Sequence, residues 1–218
     1  MVFKACIFDL DGVIVDTAAH HFVAWSRLAE ELGVPFSHED NEQLKGVSRV
    51  DSLEYLLNKG GLMLDPATKL KLMDRKNAHY LELARNTEPA DALPGVRSLL
   101  IELRSQGIKV ALGSSSKNAT MILERLDLLE AFDTLVDGNH ITLSKPDPEV
   151  FLMGAKALGI HPAECLVFED AQAGIDAALA GGFPVVGIGQ VSELSRAKVV
   201  IPGFSNYKWS DVLRELEA

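Results

Sequence analysis

Two carboxylates follow a short apolar run near the start of the chain. Residues Ala5–Phe8 are apolar, Asp9 and Asp11 come next with one residue between them, and Gly12 follows. A short apolar run bounded by charges and a glycine predicts a buried parallel strand. Residues i and i+2 of a strand share one side, and ligands of open α/β sheets bind beyond the carboxyl ends of the strands. Asp9 and Asp11 are therefore predicted to face one crevice, where they would repel each other unless a cation lay between them.

Three later apolar runs also end in residues that can do chemistry. They are followed by serines, by a lysine in a loop and by two further carboxylates, namely Ser114, Ser115 and Ser116; Lys145; and Glu169 and Asp170. Because the carboxyl ends of parallel strands meet at one crevice, these residues are predicted to converge on Asp9 and Asp11. Mg²⁺ prefers carboxylates, waters and phosphate oxygens, and the sequence has no His and Cys ligand set of the zinc type. The predicted site suits Mg²⁺ with a phosphoryl group.

The residue types also indicate how such a site could react. A carboxylate can attack phosphorus and form an aspartyl phosphate, provided that Mg²⁺ and Lys145 offset the negative charge. A second carboxyl group two residues on can give a proton to the leaving oxygen or take one from an incoming hydroxyl. Ser114 can donate a hydrogen bond to the phosphoryl oxygens, and phosphoryl transfer needs little beyond such alignment.

The elements that must position these residues alternate between strand and helix, with one interruption. Their order predicts a parallel sheet with right-handed crossovers. Residues 17–88 are predicted to be helical throughout, with helices beginning near Thr17, Ser48 and Asp65. The expected fold class is α/β: a Rossmann-like parallel sheet core at residues 1–16 and 89–218, with an inserted all-helical cap domain at residues 17–88.

Composition narrows the possible partners and the compartment. The chain has 218 residues and a formal net charge of −10, which argues against nucleic acid and anionic membrane as partners. No apolar run is long enough to cross a bilayer, and no secretory signal is visible. The two cysteines, Cys6 and Cys165, are expected to be buried and reduced, as in a cytoplasmic protein.

Four ordered motifs resemble those of the haloacid dehalogenase-like hydrolase superfamily: DLDG after the first strand, serine after the second, the lysine of SKPDP, and FEDAQAG. Within it, EQLKGVSRVDSL, RKN at residues 75–77 and SSSKN at residues 114–118 resemble the β-phosphoglucomutase family. That resemblance implies a cap that closes over the core. It also implies interconversion of β-D-glucose 1-phosphate and D-glucose 6-phosphate through an aspartyl-phosphate enzyme and β-glucose 1,6-bisphosphate.

The resemblance assigns roles to the strand-end residues. It implies Asp9 as the phosphorylated nucleophile and Asp11 as the general acid and base. Ser114 and Lys145 would contact the transferring phosphoryl group. The implied Mg²⁺ ligands are Asp9, the backbone carbonyl of Asp11, Glu169 and Asp170.

A sugar bisphosphate requires a second anion site. Arg49 on the cap can grip a phosphate bidentately, and Ser116, Lys117 and Asn118 can hold it from the core side. The complete predicted set of substrate-binding residues is Asp11, His21, Lys45, Gly46, Val47, Arg49, Lys76, Ser116, Lys117 and Asn118.

Several of these residues have a plainer interpretation that the sequence leaves open. His21 either links substrate binding to the placing of Asp11 or is a hydrogen-bonded surface histidine. Lys76 and Asn77 either face the substrate or form a polar helix face. Gly46 serves as a turn glycine, approaches the sugar closely, or does both. Ser115 is interpreted as structural.

The expected partner is a phosphorylated sugar, and a closing cap would work in a monomer. The alternative function is a Mg²⁺-dependent sugar-phosphate phosphatase of the same superfamily, whose cap serves one phosphate only. A non-catalytic phosphate-binding module is disfavoured, because both Asp9 and Asp11 are present.

Overall fold

Six short strands form one parallel sheet in the computed structural model, which describes residues 3–217. The strands are β1 (Ala5–Phe8), β2 (Lys109–Gly113), β3 (Thr134–Val136), β4 (Cys165–Glu169), β5 (Val185–Ile188) and β6 (Val199–Ile201). Their spatial order is β3-β2-β1-β4-β5-β6, so β1 is central and the winding reverses between β1 and β4. Phe8 of β1 pairs with Leu112 of β2 and with Phe168 of β4. The carboxyl ends of these three strands are therefore nearly level, at the position where ligands bind in such sheets.

Helices cover both faces of the sheet and build the cap. They are α1 (Ala18–Leu32), α2 (His38–Gln43), α3 (Arg49–Lys59), α4 (Pro66–Ala84), α5 (Val96–Ser105), α6 (Ala119–Arg125), α7 (Glu149–Leu158), α8 (Gln172–Ala180) and α9 (Trp209–Glu217). All four residues of β1 are fully buried, because each face of the sheet carries its own apolar cluster. Phe8, Phe168 and Phe204 pack against one another in the larger cluster. The α/β fold predicted from the sequence is confirmed.

The helices α1 to α4 surround a third apolar cluster that includes Trp25, Leu28 and Leu56. The predicted helix starts are observed: Asp65 caps α4, and the Ser48 hydroxyl accepts a hydrogen bond at the start of α3. The short helix α2 was not predicted, because its sequence HEDNEQ contains no apolar residue and so has no hydrophobic periodicity.

The two links between the sheet and the cap helices run side by side. Val15 pairs with Ala92 in an antiparallel bridge, and the Leu93 N–H donates to the Ile14 carbonyl at 2.8 Å. Tyr80 of α4 packs into the larger cluster of the sheet. We refer to residues 17–88 as the cap, and this boundary stays an interpretation. Within residues 3–217, no helix combines the length and the apolar character needed to cross a bilayer.

Candidate active site

A buried lysine lies between two carboxylates at the end of the central strands. The Lys145 ammonium donates to Asp9 Oδ1 and to Glu169 Oε1, at 2.6 Å in each case. The side chains of Lys145 and Glu169 are fully buried. Burial lowers the pKa of Lys145, but Asp9 and Glu169 outweigh this effect and hold its pKa above the ordinary value. Lys145 is therefore a permanent cation beside Asp9, as the sequence predicted from the convergence of strand ends.

Asp170 completes a group of three carboxylates. One oxygen from each of Asp9, Glu169 and Asp170 lies within 4.8 Å of the others. Burial, followed by repulsion from Glu169 and Asp9, raises the pKa of Asp170 well above its usual value. A Cβ on Gly12, whose φ is +80°, would lie 2.1 Å from Asp170 Oδ2, so only glycine leaves room for this carboxylate. Crowded carboxylates with a single lysine suit a hard cation with oxygen ligands.

Asp11 lies beside the same group and is held by the first residue of the cap. The Thr17 hydroxyl donates to Asp11 Oδ1. Burial and then repulsion from Asp9 raise the pKa of Asp11 to about 6. A carboxyl group that titrates close to neutrality can both give and take a proton under physiological conditions.

His21 and Lys76 connect Asp11 to the cap. His21 Nδ1 lies 2.9 Å from the Lys76 ammonium, and His21 Nε2 lies 3.9 Å from Asp11 Oδ1. Burial, then the charges of Lys76 and Arg49, lower the pKa of His21 well below its usual value. We therefore assign His21 as a neutral imidazole that accepts from Lys76 at Nδ1 and carries its proton at Nε2, towards Asp11.

Lys76 is almost completely buried, with 3% of its surface exposed. Its ammonium lies 4.7 Å from the centre of the Trp25 ring. Burial, followed by repulsion from Arg49, lowers the pKa of Lys76 to about 7. Of the RKN motif only Arg75 points outwards, where it pairs with Glu31. The interpretation of Lys76 as part of a polar surface is therefore wrong.

One cavity of about 320 Å³ lies between the cap and the strand ends. Most of the predicted site residues line it: Asp9, Asp11, His21, Lys45, Gly46, Val47, Arg49, Lys76, Ser114, Ser116, Lys117, Asn118 and Asp170. Lys145 and Glu169 do not line it, because they are buried behind Asp9. The predicted convergence of these side chains on one crevice is observed, and their individual roles stay predictions.

Two of the predicted phosphate-binding groups meet at Asn77, which lies outside the predicted set of substrate-binding residues. Asn77 Oδ1 accepts from Arg49 Nη2 at 2.8 Å and from Asn118 Nδ2 at 3.0 Å. Asn77 and Arg49 belong to the cap, and Asn118 belongs to the core, so one amide bridges the two parts. Lys117 lines the same cavity. The region thus presents two cations and several hydrogen-bond donors to an anion.

The serines after β2 form a tight turn at the floor of the cavity. Ser114 is buried, and its Oγ accepts from the Ser116 N–H at 3.1 Å. The Ser114 hydroxyl proton remains available to a ligand. Ser115, which is interpreted from the sequence as structural, donates to the Gly46 carbonyl of the cap at 3.0 Å. Gly46 has φ +72°, and a Cβ there would lie 3.3 Å from the Ala171 Cβ. Gly46 is thus a turn glycine that lies close to the core, and its approach to the sugar stays a prediction.

Sequence reasoning missed several residues of the site, and for all of them except Thr17 the partner is distant in the chain. They are Thr17, Trp25, Asp51, Asn77, Ser115 and Ser144. The sequence did single out the RKN motif, and it left the role of Asn77 open. Nothing local in the sequence distinguishes Ser144 from an ordinary loop serine.

The site has carboxylates at the ends of the central strands, a buried lysine beside them and a helical cap above. This arrangement defines a class of phosphoryl-transfer enzymes. Residues 3–182 match the family model of the haloacid dehalogenase-like hydrolases. The chain belongs to this haloacid dehalogenase-like family.

Among its relatives, the β-phosphoglucomutase of Bacillus subtilis is 46% identical, with 91% of this chain and 88% of that protein covered. The crystal structure of β-phosphoglucomutase from Clostridium difficile superimposes with a TM-score of 0.95 at 38% identity, covering 99% and 98% of the two chains. A phosphorylated carbohydrates phosphatase from Thermotoga maritima is 32% identical, with 91% of this chain and 90% of that protein covered.

Proposed function

We propose that this protein is a phosphomutase that interconverts β-D-glucose 1-phosphate and D-glucose 6-phosphate. One observation carries the proposal: two sets of side chains of the types that bind phosphate line a single cavity. Asp9 and Ser114 lie at the strand ends, while Arg49, Lys117 and Asn118 form a second anion site between cap and core. A sugar that carries a phosphate at each end would occupy both, and the relatives named as β-phosphoglucomutases support this substrate.

The donor set at the strand ends fits Mg²⁺. Carboxylate oxygens of Asp9, Glu169 and Asp170 cluster within 4.8 Å, and Gly12 leaves space for Asp170. These three residues, with the backbone carbonyl of Asp11, would hold the ion. Bound Mg²⁺ would supply charge neutralisation for a phosphoryl group beside Asp9.

In the first transfer, Asp9 already carries a phosphoryl group. Asp11 takes the proton of the 6-hydroxyl of bound β-glucose 1-phosphate. The resulting oxygen attacks phosphorus, the bond from phosphorus to the Asp9 oxygen breaks, and β-glucose 1,6-bisphosphate forms. Lys145 stabilises the Asp9 carboxylate that is released, because its ammonium lies 2.6 Å from Asp9 Oδ1.

In the second transfer, the bisphosphate binds in the reverse orientation. An oxygen of Asp9 attacks the phosphorus on the sugar's first carbon, and the bond between that phosphorus and the sugar oxygen breaks. Asp11 returns its proton to this oxygen, which leaves glucose 6-phosphate and restores the aspartyl phosphate. A pKa near 6 suits Asp11 to both directions of proton transfer.

The phosphatase alternative receives less support. The chain is 46% identical to the named mutase but 32% identical to the named phosphatase. A phosphatase whose cap serves one phosphate would also have no use for the second anion site. The mutase requires that site, since whichever phosphate is not reacting must be held there.

Incubation with β-glucose 1-phosphate, Mg²⁺ and a trace of glucose 1,6-bisphosphate tests the proposal. The wild-type protein should form glucose 6-phosphate with little release of inorganic phosphate. Arg49→Ala should lower kcat/KM for isomerisation by about 100-fold, as expected when a charged hydrogen-bonding partner is truncated. Arg27→Ala, an exposed arginine of the cap, is the matched control. Steady phosphate release without any glucose 6-phosphate from the wild-type protein would refute the proposal.

A further inference from the structure

A hydrogen bond outside the predicted site joins the cap to the loop before Lys145. The Ser144 hydroxyl donates to Asp51 Oδ2 at 2.6 Å, although the two residues lie far apart in the chain. The same carboxylate oxygen accepts from the Ser48 hydroxyl, and the Asp51 N–H donates to Ser48 Oγ at 3.1 Å. Asp51 therefore belongs both to the start of α3 and to the boundary between cap and core.

The residues next to this contact carry the proposed chemistry. Ser144 directly precedes Lys145, whose ammonium contacts Asp9 and Glu169. Asp51 lies on the first turn of α3, which begins with Arg49. The hydrogen bond thus connects the first turn of the helix that bears a phosphate-binding arginine to the loop that bears the buried lysine.

The contact also lies in a wall between two spaces. Val47, Asp51, Thr142 and Ser144 border the central cavity, and they also border an open groove on the outer side of the loop. The groove continues along residues 143–148. Separation of Asp51 from Ser144 would open this wall and create a second route for water to the cavity.

We propose that Ser144 and Asp51 form a latch that holds this wall closed while Asp9 carries its phosphoryl group. The proposal rests on the mutase function argued above. With the latch open, a water oxygen attacks the phosphorus of the aspartyl phosphate, and the bond from phosphorus to Asp9 breaks. Inorganic phosphate leaves, the Asp9 carboxylate is restored, and Asp11 accepts the proton that water loses. Ser144 and Asp51 are positioning residues, which set how often the phosphoryl group goes to water instead of to a sugar.

The test is the ratio of inorganic phosphate to glucose 6-phosphate that Ser144→Ala releases, compared with the wild-type protein. This change removes the hydroxyl and leaves the pairing of Ser48 with Asp51 intact. Loss of one partly exposed hydrogen bond should raise the ratio about two- to fivefold. Ser144→Thr keeps a hydroxyl and should restore the wild-type ratio. Ser105→Ala removes a hydroxyl that bonds only within α5 and should leave the ratio unchanged.

Two outcomes would overturn the latch. One is an unchanged ratio in Ser144→Ala. The other is a raised ratio that Ser144→Thr fails to restore, which would indicate a general loosening of the loop. A wild-type protein that forms no glucose 6-phosphate would refute the proposed function itself, so the two failures are distinguishable.

Discussion

Replacement of Lys76 by methionine should make the protein more stable at neutral pH. Lys76 is buried, and its pKa is lowered from 10.5 to about 7 by burial and by Arg49. At about 1.4 kcal/mol per pKa unit, this difference means that a charged Lys76 lowers the free energy of unfolding by about 5 kcal/mol. Methionine fills a similar volume without a charge. Loss of the contact with the Trp25 ring costs about 2 kcal/mol, so we expect a net stabilisation of about 3 kcal/mol.

The pH dependence gives the sharper measurement. Between about pH 7 and the unfolded value of 10.5, the unfolded chain binds more protons at residue 76 than the folded protein does. Stability that depends on Lys76 must therefore rise with pH across this window. Urea denaturation at several pH values should show this rise in the wild-type protein, and Lys76→Met should lack it.

Lys71→Met is the matched control, because Lys71 is an exposed lysine on the same helix. Its stability should follow that of the wild-type protein at every pH. Equal pH profiles of stability for the Lys76 and Lys71 variants would refute the assignment of Lys76 as a buried cation whose charge opposes folding. Lys76→Met should also raise KM for β-glucose 1-phosphate, because a cation that lines the cavity is lost.

Two further predictions concern the carboxylates. In Gly12→Ala, the new Cβ would lie 2.1 Å from Asp170 Oδ2, so Mg²⁺ affinity measured by calorimetry should fall at least about tenfold; unchanged affinity would show that Asp170 is not a ligand. Hydrogen bonds from Lys59, then Tyr55, hold the pKa of buried Asp40 well below its usual range. The ionised Asp40 carboxylate therefore stabilises the folded protein above the unfolded pKa, and this stabilisation is lost as pH falls through the folded pKa. Asp40→Asn should cost about 2 kcal/mol in urea denaturation at neutral pH and less below about pH 3, and an equal cost at both would contradict this origin.

The sheet and most of the helices were predictable because the sequence marks their ends clearly. Gly33 ends α1 with φ +68°, and Asp65 with Pro66 opens α4, as their residue types indicate. Strand β1 was predictable as a buried parallel strand, since its continuous apolar run is buried on both faces. Helix α2 was not predicted, because a capping box at Ser37 stabilises it and it has no apolar stripe.

The site was predictable where a residue type has a chemical use at a strand end. Asp9, Lys145 and Asp170 met as expected for that reason. The contacts of Asn77 with Arg49 and of Ser144 with Asp51 were not predictable. They join the cap to the core or one helix to another, and neutral polar residues in such places resemble ordinary surface residues until the fold brings them together.

Charge explains why closure of the cap should depend on the substrate. Beyond the contacts of the linker at residues 11–18, three hydrogen bonds between cap and core involve no cationic group and contribute about 1 kcal/mol each: those of Ser115 with Gly46, Asn118 with Asn77 and Ser144 with Asp51. Against them, Arg49 and Lys76 repel each other inside the same cavity, which is one cause of the lowered pKa of Lys76. A sugar phosphate held by Arg49 would offset that repulsion with an attraction. The closed cap should therefore be favoured whenever a sugar phosphate occupies the second anion site, including the stage at which Asp9 carries its phosphoryl group and water must be excluded.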